Sequence, residues 1–158
     1  MTAAARRTAN SGRAGVKSPS SFQSHGEKCL TPADFAGIDE LIEACWGMVK
    51  EGLSQLGYGP RETKIHLALH EALVNAWKHG HCKRPDLPIT FRWRFDDDFT
   101  IEIMDAGPGF ACQAPTDPFT QDRLIEEHGR GLAIIRFCAD KVSWQKNGGQ
   151  VIITFNHP

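Results

Sequence analysis

Two stretches of strict alternation dominate the middle of the chain. Ile89, Phe91, Trp93 and Phe95 alternate with Thr90, Arg92 and Arg94; after Asp96-Asp97-Asp98, Phe99, Ile101 and Ile103 alternate with Thr100 and Glu102. Successive side chains of a strand point to opposite faces, so this period predicts a β-hairpin with one face on a core and the other wetter. Upstream the period changes. Ile65, Ala68, Leu69, Ala72, Leu73 and Ala76 fall on one helical stripe, which predicts a helix over 60–79, stopped by Gly80. Glu71 and Asn75 lie four apart on the flank of that stripe, hence side by side, and Lys78 and His79 extend the flank by a turn. An earlier helix is expected from Thr31, as N-cap, with Pro32 at its first position. Phe35, Ile38, Leu41, Ile42, Cys45, Met48 and Val49 carry it to about Leu56. A short strand is expected over 27–30.

Beyond the hairpin the chain reads differently. Residues 110–128 show no clear period and contain Pro115 and Pro118. A loop this long inside a compact domain is usually functional, often a lid. Gly129-Arg130-Gly131 then opens a third helix over 132–139, apolar on all sides and so expected to be well buried. Val142 and Trp144 predict a strand, Asn147-Gly148 a two-residue hairpin turn, and Val151, Ile153 and Phe155 a last strand. The order β-α-α-β-β-loop-α-β-β predicts an α+β two-layer sandwich. Its sheet would be mixed, mostly antiparallel, and covered on one face by helices.

Composition narrows the function classes. The chain has 158 residues, of which 41% are hydrophobic, enough for one cored domain, taken as 26–158. Residues 1–25 are rich in Ala, Ser, Gly and Arg and hold no acid; they read as a disordered tail. A formal net charge of -1 gives no reason to expect direct nucleic-acid binding. No run of about 18 apolar residues predicts a membrane span. Five cysteines are scattered without a CxxC pair, which argues against a disulfide framework and for a reducing cytoplasm. His79, His81 and Cys82 lack a fourth ligand at zinc spacing.

Three features carry chemistry. The first is Glu71-Ala-Leu-Val-Asn75-Ala-Trp-Lys78-His79 on a helix. Asn75 offers a neutral hard oxygen suited to magnesium, and a carboxylate at Glu71, one turn away, can accept a proton from an attacking hydroxyl. The second is Asp105-Ala-Gly107-Pro-Gly109 at a strand end. Its glycines let backbone approach a flat ligand, and Asp105 either accepts hydrogen bonds from that ligand or caps a turn. The third is Gly129-Arg130-Gly131-Leu132 at a helix start, a phosphate site by virtue of free N–H groups and the helix dipole, or else a hinge. Arg130, or protonated His128, would add positive charge. Lys78 is a phosphate partner or a solvated helix lysine.

In this order the three features resemble the N, G1 and G2 boxes of the histidine-kinase-like ATPase superfamily, over about residues 25–156. The resemblance implies ATP and Mg2+ as cofactors, with Asp105 on the adenine amino group and Asn75 on the metal. It further implies Gly107 and Gly109 along the nucleotide, and Lys78, His79, His128, Gly129, Arg130, Gly131 and Leu132 around the triphosphate. Glu71 would be the catalytic base. The stretch from Glu71 to Gly80 looks most like the bacterial anti-sigma serine kinases. That likeness implies a serine kinase acting on an anti-anti-sigma antagonist, binding a sigma factor, commonly a homodimer, with no direct contact to nucleic acid or membrane. Two positions depart from the pattern. Arg130 sits between the G2 glycines instead of just before them, after Glu126-Glu127-His128, and Gln150 follows Gly149 where the family tends to have threonine near the adenine. Two other functions remain open: a non-catalytic ATP-binding switch, and a detached catalytic domain of a sensor histidine kinase.

Overall fold

The alternating hairpin forms the middle of a five-stranded sheet. In the computed structural model, residues 22–80, 84–107 and 127–158 are described. The elements are β1 (His25–Leu30), α1 (Ile38–Gln55), α2 (Glu62–Asn75), β2 (Ile89–Phe95), β3 (Phe99–Asp105), α3 (Glu127–Cys138), β4 (Lys141–Gln145) and β5 (Gln150–Phe155). The strand order is β1-β2-β3-β5-β4, and every neighbouring pair is antiparallel. Short turns explain this for β2–β3 and β4–β5, because hairpins need only a few residues; the pairs β1–β2 and β3–β5 are joined through the helices.

Register follows the hydrophobic pattern. Phe91 pairs with Ile103, Trp93 with Ile101 and Phe95 with Phe99; Ile101 and Phe99 in turn pair with Ile153 and Phe155. All of these side chains are buried and meet Leu41, Val49, Leu53, Ile65, Leu69 and Leu73 of the helices in one core. The rings of Phe95 and Phe99 stack 4.4 Å apart. Burying a side chain of this kind contributes about 1.5–3 kcal/mol, so the α2 stripe and the β2–β3 face hold each other. Tyr58 closes the far end, its hydroxyl donating to the Phe155 carbonyl at 3.4 Å.

Four expectations are corrected. Thr31 does not begin α1: it precedes a short 3-10 turn, Pro32–Asp34, and makes no side-chain cap bond. Phe35 is extended after it, and the helix starts at Ile38. Glu40, in the first turn of α1, accepts the Ala36 N–H at 2.6 Å just ahead of the helix. The first strand starts at His25, two residues early. Phe22 packs edge-on to Phe95 at 5.4 Å, and the Gln23 carbonyl accepts the Trp93 indole N–H at 3.1 Å. α3 is not buried all round: Ile135 and Cys138 face the core, but Phe137 is 72% exposed, because α3 packs along one side of α2 and nothing among the described residues covers its outside. The β4–β5 turn is longer than two residues, with Lys146, Asn147 and Gly148 all at positive φ. Residues 1–21, which include most of the expected tail, and most of the expected lid lie outside the described residues. Among the described residues no helix is long and apolar enough to cross a membrane.

Candidate functional site

Period two carries Asp105 to the covered face. Ile101, Ile103 and Asp105 point the same way along β3, and at Asp105 the core gives out into a recess. Its walls are Ala72, Asn75 and Ala76 of α2, Ile103 and Asp105 of β3, Leu132 and Ile135 of α3, and Trp144, Gly148, Gly149 and Val151 of the last hairpin. The recess is small, about 20 Å³, and opens to solvent. One Asp105 carboxylate oxygen accepts the Gly107 N–H at 2.9 Å, and the Asp105 N–H donates to the Gly149 carbonyl at 2.9 Å. Turn capping and ligand binding are therefore compatible: an ionised carboxylate has about four acceptor positions, and the cap fixes its direction.

α2 and α3 bring the other two motifs together. A Cβ built on Gly131 would stand 3.0 Å from Glu71 Oε2, 3.4 Å from Asn75 Oδ1 and 3.5 Å from Asn75 Nδ2. Gly131 thus leaves room for the carboxylate and the amide to lie close to the α3 backbone. Glu71 is 20% exposed and its Oε1 lies 3.3 Å from His70 Nδ1. His70 has no candidate role in the sequence, yet it is the side chain that touches the candidate base.

The G2 motif needs a correction. Among the described residues α3 spans Glu127–Cys138, so Gly129 and Gly131 lie in the helix and do not form a loop before it. Arg130 is exposed. The backbone of His128 and Gly129 is in α3, but their side chains, like all of Gly109, lie outside the described residues. After Asn75, α2 widens into a five-residue π turn, Ala76–Gly80. Lys78 is exposed there, and the His79 side chain lies outside the described residues. Such wide turns are rare and frequent at functional sites.

Gln150 is turned away from the recess. Its amide Nε2 donates to Glu102 Oε1 at 2.7 Å, on the opposite face of the sheet, while its Oε1 is buried without a hydrogen-bond partner. Gly148 and Gly149 reach the recess instead. Trp144, Gly149 and Val151 carry no motif, but alternation from the core residue Ile153 back along β5 would have placed Val151 and Gly149 on the covered face. Neither buried thiol supplies a nucleophile: burial pushes Cys45 up to about 12, and burial also raises Cys138, against the opposing pull of Lys64. Among the described residues no three His, Cys, Asp or Glu side chains gather to hold a metal ion.

A family model described as a histidine kinase-like ATPase domain matches residues 39–155. The chain belongs to the histidine kinase-like ATPase domain family. No curated protein matches it in sequence. A histidine kinase-like ATPase domain binds ATP, and the fold agrees with the match: a five-stranded antiparallel sheet with three helices on one face. The matched span covers everything from α1 to β5, including all three motifs.

Proposed function

We propose that this histidine kinase-like ATPase is a cytoplasmic anti-sigma regulatory factor that phosphorylates a serine of an anti-anti-sigma antagonist and sequesters a sigma factor. The observation that carries the catalytic part is the meeting of Glu71 and Asn75 against Gly131, at the edge of a recess that also holds Asp105. In this reading Asp105 accepts the adenine amino group. Glycines 107 and 109 follow the nucleotide, and Leu132 closes the recess. The Gly129–Gly131 backbone, Arg130, Lys78, His79 and His128 meet the phosphates. The hard oxygen of Asn75 fits Mg2+, which keeps its remaining positions for water and phosphate and would neutralise charge on the transferring group.

Glu71 removes the proton from the serine hydroxyl. The serine oxygen bonds to the γ-phosphorus, the bond from that phosphorus to the bridging oxygen breaks, and ADP leaves with the electron pair. Arg130, exposed on α3, would stand in for the arginine that precedes the glycines elsewhere in the family. Gln150 does not bear on the recess, which removes one of the two departures as an obstacle. Likeness to the anti-sigma kinases also supports a homodimer.

The test is Glu71→Gln with radiolabelled ATP and the antagonist protein. The variant should bind nucleotide like the parent and lose about 10²–10⁴-fold in phosphotransfer. The label should survive acid, as phosphoserine does. An acid-labile label would assign the chain to histidine kinases, and an unchanged rate would remove Glu71 from the chemistry.

A further inference from the structure

The recess beside Asp105 holds about 20 Å³. That is room for about one water molecule, far less than a purine ring fills. A base that enters it must therefore displace part of the wall. Most of the described wall has nowhere to go. Ala72, Ala76, Ile103, Ile135 and Val151 are buried members of the one core, and close-packed interiors yield little. Asp105 is held by its bonds to Gly107 and Gly149.

Trp144 differs on three counts. It lies on β4, the edge strand beside β5, where pairing with Val151 puts it on the covered face. It is half-buried. What backs its ring is a solvent-exposed side chain and not the core: the Arg136 guanidinium carbon stands 4.7 Å from the ring centre. An arginine over an aromatic face is a favourable contact, and it leaves the opposite face and the edges of the indole for the recess that Trp144 lines. Gly148 and Gly149, next to it in the wall, add no side chain to keep a ligand off. Leu132 is half-buried as well, but offers no flat surface to a flat ligand.

We infer that Trp144 is the base-contacting wall of the recess: the indole gives way on the Arg136 side to admit the adenine of ATP and then lies against the purine ring. This rests on the reading that puts adenine beside Asp105. The two residues divide the work. The carboxylate selects the base through its amino group, and the indole supplies contact area that any purine would use.

The test is titration of the full chain with Mg-ADP, following tryptophan fluorescence and heat. Trp144→Leu should raise the dissociation constant about tenfold, the effect of losing one aromatic contact, and Trp144→Phe should keep most of the parent's affinity. Binding should change the parent's fluorescence, and most of that change should vanish in Trp144→Phe although Trp46, Trp77 and Trp93 remain. A side chain that merely fills space would make Leu and Phe equivalent, so equal affinities in the two variants overturn the inference. A fluorescence change that persists in full in Trp144→Phe overturns it as well. If the parent does not bind Mg-ADP, or Asp105→Asn binds it as tightly as the parent, adenine does not lie in the recess; the underlying reading then falls and takes this inference with it.

Discussion

On the helix-covered face of the sheet, Phe91, Phe99 and Ile101 are sealed from water, while one residue along each strand the chemistry inverts. Arg92 reaches Glu27 on β1 and Glu102 on β3 at 2.9 Å, and Glu102 also accepts Gln150. The covered face makes the core, and at its open end it becomes the candidate recess. The other face makes a polar network that joins β1, β2, β3 and β5 across the strands. Both are written in the same alternation, and a one-residue slip would exchange them. A ligand site can therefore be built cheaply from this fold: the strand that supplies Ile101 and Ile103 to the core supplies Asp105 two residues later, with no change of backbone.

The comparison is broken most severely by changing its buried side. Phe91→Ala should cost about 3–5 kcal/mol in denaturant unfolding, whereas Arg92→Ala next to it should cost far less, since exposed ion pairs contribute little. Equal costs would show that the polar face carries as much of the stability as the core. Asp105→Asn should leave the fold intact and remove the nucleotide response. In the parent, Mg-ADP at 100 times its dissociation constant adds about 2.7 kcal/mol of stability; a melting curve that still shifts in the variant would take Asp105 out of the site.

Gly26→Ala sharpens the comparison at the edge strand, because a Cβ there would collide with the Trp93 ring. A loss of about 1–3 kcal/mol is expected, typical of overpacking, with amide exchange rising in β1 first. The smallest effect concerns Asp140. Partial burial pushes its carboxyl up, but the Asn156 N–H and the Arg61 guanidinium outweigh this and hold it below its ordinary value of 3.8. A carboxyl lowered on folding stabilises the protein above that ordinary value, and the contribution is lost as pH falls through the folded value. Acid titration of Asp140→Asn should accordingly show a shallower loss of stability below about pH 3.8 than the parent shows.

Much of this was legible in the residues. The bounds of β2 and β3 follow from their alternation, because one face of each must be dry. The α2 stripe follows from its 3.6 period, and the placing of Glu71 beside Asn75 follows from helical geometry alone. What escaped is what depends on neighbours. Gly131 looks like a loop glycine in the chain and is a helix glycine in the fold, approached by Glu71 and Asn75 from another element. Gln150 looks like an altered recess residue and faces the other way, because its register with Met104 puts it on the Glu102 side. Phe137 sits in an apolar run and was expected inside.

Local pattern determined which segments are helix or strand, which face of each is apolar, and that three motifs of an ATP-binding family stand in order. Those properties depend on spacing within a few residues, and spacing is fully present in the sequence. Tertiary structure alone decided that α3 lies against the Glu71 flank of α2, that its outer side is left uncovered by the described residues, and that the last hairpin closes the recess beside Asp105. Each of those is a contact between residues tens of positions apart, and such contacts are selected by how whole faces pack, a property no single segment carries.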